Sequence, residues 1–372
     1  MCLASNSSKE TRLSCGVIAV MTNSSATPLG RVRDMTTYTM PAEWEQHERT
    51  WMAWPTAGYM SGDHIATDNG GMTDAYEAWS NVANAIVGFE PVTMVVDPGD
   101  VSIAREWLDS RVDVVTAALD DSWMRDMGPT FVRNELGELC AVDWVFNGWG
   151  AQHWAKWDHD SQIAPFIIEQ AGVPLVASPI VNEGGGIHVN GNGVLLVTET
   201  VQLDPFRNPE ETKKSLEAEF ARTLGVSRVF WFKRGLTRDY EDFGTRGHVD
   251  ILACFSDENT ILYHDQQNPA HPDFEVSKEI REVVESTGFR AIAIPAPDVI
   301  EDESGFVDYG YINHYICNGA VILCAFDDPA DARVKTMFES IYPEREIVMV
   351  DARPIFARGG GVHCITQQQP IG

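Results

Sequence analysis

Four short segments of the 372-residue chain combine glycine or proline with side chains that could do chemistry. They are residues 120–129, 182–188, 246–250 and 358–370. Two of them contain a run of three glycines, and glycine allows a backbone to turn with positive φ or to approach another group closely. These segments are therefore the first candidates for presenting an acid, a base or a nucleophile to a substrate.

His248 and Asp250 stand two residues apart in the third segment. On a strand, residues at this spacing point to the same face. A histidine and a carboxylate on one face could orient a substrate and move a proton. The pair could equally be a surface histidine and aspartate at a strand end, so the spacing alone leaves its function open.

Cys364 follows the glycine run of residues 359–361 and precedes the polar residues 366–369. A thiol beside a backbone turn can be exposed, with its pKa lowered by nearby donors or a cation, and then acts as a nucleophile. A buried free cysteine that packs as a small apolar residue is the alternative, and the polar neighbours disfavour it. The indication of a metal site formed by His248, His363 and Cys364 is weak, because their spacing matches no zinc-binding pattern. The glycine runs also lack the spacing of a dinucleotide site.

The charge balance restricts the partners. The chain has 27 Lys+Arg and 55 Asp+Glu, a formal charge of −28, spread along its length. Such a surface repels nucleic acid and anionic membranes and attracts a cationic substrate. Solubility alone would also explain the acidity. We expect no nucleic-acid partner and no membrane partner, and the longest apolar runs are far shorter than the ~20 residues of a membrane span.

The cysteines indicate a reducing compartment. Seven are scattered along the chain without a C-x-x-C motif, at positions 2, 15, 140, 254, 317, 324 and 364. This pattern is unlike a disulfide framework or a thiolate zinc site. It suits a cytoplasmic protein.

Short runs rich in Val and Ile alternate with helical patterns from residue 40 onwards, which predicts one α/β domain without a linker. The predicted strands are 91–96, 112–115, 193–198, 251–255, 290–294, 320–326 and 346–350. The predicted helices are 75–86, 161–171, 210–223, 275–287 and 329–341. Residues 187–198 read as a hairpin with an Asn-Gly turn.

The sequence GGGIH at residues 184–188 recurs as GGGVH at 359–363. This echo predicts a repeated unit whose copies face one centre.

Residues 1–38 differ from the rest, since they are rich in Ser, Thr and Asn. They are predicted to be a disordered tail. An alternative is that the first methionine is not the true start of translation and that Met35 is. A signal peptide is disfavoured because the apolar stretch is short.

Several longer motifs resemble those of the guanidino-modifying enzymes, in particular their agmatine deiminase branch, relatives of the bacterial peptidylarginine deiminases. They run in chain order from about residue 39 to the C-terminus: MPAEWEQHERTWMAWP (40–55), DSWMRD (121–126), FNGW (146–149), EGGGIH (183–188), GHVD (247–250), YIN (311–313) and VHCITQQQP (362–370). The resemblance implies a pentein fold, an α/β propeller of five pseudo-fivefold ββαβ units, as one catalytic domain over residues 39–372.

The resemblance also implies roles for single residues. Cys364 would be the nucleophile, and Asp126 and Asp250 would grip the guanidinium nitrogens. Glu183 would pair with His248, which would handle protons. Trp123 would pack near the substrate chain, a further substrate-binding residue beside the two aspartates.

The implied reaction hydrolyses a small cationic guanidino substrate. Two carboxylates can bind the edges of the planar guanidinium and leave its carbon open. Thiolate attack, loss of ammonia and hydrolysis of a thiouronium would convert agmatine to N-carbamoylputrescine, with no metal and no cofactor. An amidinotransferase would share the cysteine chemistry. A non-catalytic guanidine-binding protein is the alternative from another class, and a homodimer is the default expectation.

Four positions depart from the family pattern: Gly244 replaces an acidic residue, Arg246 an Asn or Asp, Arg358 a glycine and Gly361 an Asn. Two extra arginines near the site are awkward for a dicationic substrate. One hypothesis is that Arg246 and Arg358 bind a substrate carboxylate, as in arginine, a C-terminal peptidylarginine or a guanidino acid. The other is that they pair with acids such as Asp239, Glu241 or Asp242.

Overall fold

The structure is a computed structural model that describes residues 37–56, 72–302 and 305–372. Its strands repeat one pattern of connections. The strands are β1 His47–Ala53, β2 Val92–Val96, β3 Asp113–Thr116, β4 Thr130–Arg133, β5 Leu139–Val145, β6 Leu175–Val181, β7 His188–Val189, β8 Val194–Thr198, β9 Arg228–Phe232, β10 Ala253–Asp257, β11 Thr260–Asp265, β12 Arg290–Pro295, β13 Glu301–Asp302, β14 Gly305–Phe306, β15 Tyr315–Cys317, β16 Ala320–Ala325, β17 Glu346–Asp351 and β18 Gln367–Pro370.

Helices lie between these strands. They are α1 Thr73–Ile86, α2 Val101–Trp107, α3 Met124–Met127, α4 Gly148–Ala151, α5 Ile163–Ala171, α6 Glu199–Gln202, α7 Lys213–Leu224, α8 Asp273–Thr287, α9 Ala330–Ile341 and α10 Arg353–Phe356. The predicted mixed α/β class is confirmed. None of the helices in the described ranges is long and apolar enough to cross a membrane.

Five sheets are built alike. Their strand orders are β18-β1-β2-β3, β4-β5-β6, β7-β8-β9, β10-β11-β12 and β15-β16-β17. In each, the first strand is antiparallel to the second, and the second is parallel to the third. A helix (α1, α5, α7, α8 or α9) connects the second strand to the third, as a parallel pair requires. The chain thus contains five ββαβ units, and a separate pair, β13-β14, lies outside them.

The last strand completes the first sheet. In β18, residue Gln367 lies opposite Trp51 of β1, and Pro370 lies opposite His47. The side-chain amide of Gln369 also accepts a hydrogen bond of 2.8 Å from the Trp51 indole. Joining the two chain ends in this way fixes the segment directly before β18, which carries Cys364.

Buried apolar side chains from helices and sheets form the core. Helix α1 buries Trp79, Val82 and Ile86 against the first and last units, and α8 buries Val276 and Ile280 against β11. The amphipathic patterns that predicted the helices reflect this one-sided burial.

The predicted strands and helices are confirmed with shifted ends, and the predicted hairpin is formed by β7 and β8. The sequence missed β1, β4, β5, β6, β9, β15 and β18, among others. Residues 248–250 are not part of a strand, so the same-face argument for His248 and Asp250 does not apply. Val249–Ile251 forms a 3-10 turn before β10. The predicted tail of residues 1–38 lies almost wholly outside the described residues, which fall in one compact unit.

Candidate active site

Segments that directly precede the antiparallel strand of each unit come together at one place. Asp126 lies in α3 before β4, Glu183 precedes β7, and Asp250 precedes β10. Asn313 precedes β15 and Cys364 precedes β18. All five side chains are buried. Each unit therefore contributes one polar or reactive residue from an equivalent position, which explains why the four sequence segments converge.

The two glycine runs of the internal echo both precede an antiparallel strand, but they are not in register with the units. GGGIH follows Glu183 and its His188 begins β7, whereas GGGVH precedes Cys364 and its His363 lies four residues before β18. The two histidines still lie with ring centroids 6.2 Å apart, so the echoed segments are neighbours in the fold.

Three polar side chains converge above Gly185. A Cβ atom on this glycine would lie 2.5 Å from His248 Nδ1, 2.9 Å from Asp126 Oδ1 and 3.1 Å from Asp250 Oδ2. Real Cβ atoms essentially never approach so closely, so only glycine lets the three groups meet here. The arrangement gives a planar cation two carboxylates at its edges and an imidazole beside it.

His248 is held between acids. Its Nε2 lies 3.2 Å from Glu183 Oε2, and its Nδ1 lies 3.7 Å from Asp126 Oδ1. Burial disfavours the imidazolium, but the carboxylates of Asp126, Glu183 and Asp250 outweigh it and raise the pKa of His248 to about 9. At neutral pH the ring is therefore protonated and can act as an acid.

Glu183 is kept ionised by a buried arginine. Arg207 Nε donates to both its oxygens, at 2.9 and 3.1 Å. Burial alone would raise the pKa of Glu183, but Arg207 and His248 lower it to about 2. Arg207 was not identified from the sequence, because no motif marks it and its role follows from tertiary contact alone.

Asp126 accepts hydrogen bonds from Trp149 Nε1 (2.9 Å) and from the Gly185 amide (3.0 Å). Trp149 lies in α4, whose backbone is left-handed, with φ of 55° at Trp149. Such a φ is costly for a bulky residue, so the fold holds the indole in place. Burial, partly offset by His248, together with the Asp250 and Glu183 charges, raises the pKa of Asp126 to about 6.

Cys364 lies beside these acids. Its Sγ is 3.6 Å from Asp250 Oδ2, and Asn313 Nδ2 donates to Sγ at 3.2 Å. The sequence favoured an exposed thiol with a lowered pKa, and the structure corrects this. Burial and the Asp250 and Asp126 carboxylates raise the pKa of the Cys364 thiol well above its usual value. A cation bound between the two aspartates would reverse that effect.

Aromatic side chains line a small cavity that ends at Asp126 and Cys364. Trp149 and Trp154 stack with centroids 5.4 Å apart, and Phe243 lies 5.2 Å from Trp154. The remaining lining residues are Trp123, Thr245 and Gly359. The sequence identified Trp123 but not Trp154 or Phe243. Aromatic walls suit an alkyl chain that carries a cationic end.

Arg246 and Arg358 are engaged by acids other than those anticipated. Arg246 Nη1 lies 3.0 Å from Asp204 Oδ2, and its guanidinium stacks on Phe206. Arg358, whose side chain is fully buried, lies 2.8 Å from Asp74 Oδ1. Neither arginine lines the aromatic cavity.

Asn313 is a further residue whose role the sequence did not identify. Its Oδ1 accepts hydrogen bonds from the backbone amides of His363 (3.0 Å) and Cys364 (3.4 Å), while its Nδ2 faces the sulfur. The YIN motif contained the residue, but only the folded chain shows that it holds the cysteine segment.

A buried cysteine, two aspartates, a histidine and a glutamate thus lie together on four of the five ββαβ units, and Asn313 belongs to the fifth. Residues 39–370 match the model of the Porphyromonas-type peptidyl-arginine deiminase family, and the chain belongs to that family.

Several individual proteins are similar to this chain over most of its length. The chain is 50% identical over 341 residues to a Streptomyces coelicolor protein provisionally named an agmatine deiminase, covering 90% of this chain and 99% of that one. It is 36% identical to the agmatine deiminase of Ectopseudomonas mendocina (89% and 95% covered). Among solved structures, the agmatine deiminase of Enterococcus faecalis superimposes with a TM-score of 0.82 at 29% identity (90% and 96% covered).

Proposed function

We propose that this protein is an agmatine deiminase, a hydrolase acting on a C–N bond of a linear amidine. It converts agmatine and water to N-carbamoylputrescine and ammonia. The observation that carries the proposal is the convergence of Asp126, His248 and Asp250 above Gly185, beside Cys364 and at the end of an aromatic cavity. The names of the similar proteins support the same substrate.

Binding comes first in the mechanism. The Asp126 and Asp250 carboxylates take the guanidinium N–H groups, and the aromatic cavity takes the alkyl chain. The bound cation offsets the carboxylate charges that keep Cys364 protonated. The thiol then loses its proton to solvent, so the substrate activates its own nucleophile.

Attack by the thiolate forms an S–C bond to the guanidinium carbon and gives a neutral tetrahedral adduct. The His248 imidazolium transfers its proton to one nitrogen, the C–N bond breaks, and ammonia leaves. A cationic thiouronium remains on Cys364, and His248 is now neutral. The ammonia takes up in solvent the proton that the thiol released.

Hydrolysis completes the cycle. Neutral His248 takes a proton from water as the water oxygen attacks the thiouronium carbon. The C–S bond then breaks, the hydroxyl proton of the adduct passes to the departing sulfur, and the ureido product leaves. Glu183 stabilises the imidazolium at both stages through its 3.2 Å contact.

One catalytic domain over residues 39–372 carries this activity, with the five ββαβ units arranged as a propeller around a pseudo-fivefold axis. The equivalent positions of the five site segments and the β18–β1 pairing support this arrangement. A cytoplasmic homodimer remains our expectation for the whole protein.

A carboxylate-bearing substrate is less well supported. It would need Arg246 or Arg358 at the cavity, and both are paired with Asp204 or Asp74 instead. The same experiment distinguishes the main proposal from its alternative, a guanidine-binding protein that does not turn over its ligand.

The test incubates purified protein separately with agmatine, arginine, a C-terminal-arginine peptide and 4-guanidinobutyrate, and measures ammonia and ureido product. Cys364→Ser is the inactive variant, and Cys140→Ser, at another buried free cysteine remote from the site, is the matched control. We expect turnover of agmatine that Cys364→Ser abolishes and Cys140→Ser retains. Turnover of a carboxylate-bearing substrate in its place, or of none, would refute the proposal.

A further inference from the structure

His363 bridges two buried carboxylates, those of Asp250 and Glu43. Its Nδ1 lies 2.8 Å from Asp250 Oδ2, and its Nε2 lies 2.9 Å from Glu43 Oε2. The three side chains are almost completely buried. Neither Glu43 nor His363 takes a direct part in the proposed reaction.

The geometry determines the protonation of this bridge. An ionised carboxylate only accepts hydrogen bonds, and a neutral imidazole has a single N–H to donate. Both ring nitrogens of His363 face carboxylate oxygens at hydrogen-bond distance, so two ionised acids require an imidazolium. Burial and Arg125 oppose that charge, but Glu43 and Asp250 outweigh them and raise the pKa of His363.

Glu43 is itself fixed from two sides. Its Oε1 accepts a 2.8 Å hydrogen bond from the Ile316 amide of β15, and its backbone carbonyl accepts one of 2.7 Å from His47 Nε2. Burial would raise the pKa of Glu43, but the charges of His363 and Arg125 lower it. A carboxylate that is both ionised and anchored can hold an imidazolium in one orientation.

The same cluster resembles a metal site, because ligand atoms of Glu43, His188 and His363 lie within 4.8 Å of one another. The tautomer of His188 argues against it. The Phe255 amide donates to His188 Nδ1 at 3.3 Å, so the ring proton of neutral His188 sits on Nε2, the nitrogen left to face the cluster. A metal needs the lone pair of that nitrogen. Hydrogen bonding therefore explains this cluster better than coordination.

We propose that Glu43 and His363 are positioning residues that keep Asp250 ionised and fix one of its oxygens, so that the other is available to the guanidinium. Asp250 Oδ1 has no hydrogen-bond partner among the described residues, which fits this division. The inference rests on the proposed function, in which Asp250 binds substrate. It assigns the segment before β1 a part in the site.

The other titratable groups facing His363 do not replace it. Arg125 donates to the His363 carbonyl and lies close enough to lower the pKa of Asp250. Burial lowers the pKa of His188 to about 3 and that of His314 to about 4, so both rings are neutral. The remaining groups are the thiols of Cys254 and Cys364, whose pKa values burial raises.

The first arm of the test compares Glu43→Gln with Glu90→Gln. Glu90 is an equally buried glutamate that contacts a histidine, His47, at 3.1 Å, and it takes no part in the site. In Glu43→Gln the amide leaves His363 neutral, so Asp250 loses the cation that bonds to it. We expect KM for agmatine to rise about tenfold and the acid limb of kcat/KM, which Asp126 alone sets in the wild type, to steepen as Asp250 begins to titrate with it. In Glu90→Gln we expect lower thermal stability with an unchanged pH profile.

The second arm needs no turnover. Nitrogen-15 NMR of wild-type protein labelled at histidine, with the His363 signals assigned by their loss in His363→Asn, should show both ring nitrogens protonated at pH 7.5. A neutral His363 would overturn the proposal, as would a pH profile that Glu43→Gln and Glu90→Gln share. If wild type did not turn over agmatine, the proposed function would fail, and the NMR arm would still decide the state of His363.

Discussion

At the scale of single residues, the site combines a carboxyl group with a raised pKa and an imidazole with a raised pKa. Asp126 has a pKa of about 6 and His248 one of about 9, and their mutual attraction contributes to both values. In the proposed mechanism, the carboxylate for the guanidinium and the acid for the leaving nitrogen are therefore both present between these pH values. Cys364, by contrast, has a thiol pKa well above its usual value.

These values predict the pH dependence of kcat/KM. Activity should fall as pH drops below about 6, because Asp126 takes up a proton, and it should fall as pH rises above about 9, because His248 loses one. Initial rates with agmatine across pH 5 to 10 measure both limbs. Glu183→Gln removes one of the carboxylates that support the imidazolium, so it should move the alkaline limb to lower pH. An alkaline limb that stays in place would refute the role of His248.

Arginine substitutions test substrate choice. Because Arg246 and Arg358 are paired with Asp204 and Asp74, Arg246→Asn and Arg358→Gln should leave the ratio of kcat/KM between agmatine and arginine unchanged within about twofold. Arg358→Gln should destabilise the fold by about 2 kcal/mol, since it breaks a largely buried ion pair, whereas the half-exposed Arg246 contributes about 1 kcal/mol or less. Thermal melts and rates with both substrates provide the measurements. A switch towards arginine in either variant would contradict the pairing.

The partners of these arginines illustrate what a sequence does not reveal. Asp74 and Arg358 are 284 residues apart, and no local pattern links them. The same holds for Arg207 and for the raised pKa of Cys364, because both depend on which buried charges become neighbours. The nucleophile, the two aspartates and His248 could be proposed from the sequence because each lies in a long, recognisable motif.

At the scale of elements, the segment before each antiparallel strand carries a residue of the proposed site. His248 and Asp250 would share one face on a strand, but they meet over Gly185 through a 3-10 turn instead. Elements with clear apolar periodicity, such as α1, α8 and β16, were predictable. β18 was not, because its sequence, QQQP, is polar and yet wholly buried.

Gly185→Ala tests whether the convergence over this glycine matters. The added methyl group would enter the space shared by His248, Asp126 and Asp250, so kcat/KM for agmatine should fall about 100-fold or more. Gly99→Ala is the control, because its Cβ would meet only the Asp97 carboxylate at 3.4 Å. Rates and melting temperatures of both variants should separate loss of the site from loss of the fold. Full activity in Gly185→Ala would mean that the substrate binds elsewhere.

At the scale of the whole molecule, the last strand, β18, completes the first sheet by pairing with β1, and the chain is strongly acidic. A formal charge of −28 attracts a dication over a distance that salt shortens. The sequence gives the charge directly, whereas the way the units meet depends on the pairing of the chain ends, which no local pattern encodes.

Salt should therefore slow the encounter with agmatine. Raising NaCl from about 50 to about 500 mM should lower kcat/KM roughly threefold. It should leave kcat unchanged, because steering affects only the approach of the substrate. Steady-state kinetics at each salt concentration measure both quantities. A kcat/KM independent of salt would show that the acidity serves solubility alone.

In the proposed mechanism, the sulfur of Cys364 attacks the guanidinium carbon. The most direct test of this step is the mass of the protein after acid quenching during steady-state turnover of agmatine, followed by peptide mapping. We predict an adduct with the mass of agmatine minus ammonia on the peptide that contains Cys364, and none in Cys364→Ser, which should also be inactive. Turnover that persists in Cys364→Ser, or an adduct on another residue, would contradict the account.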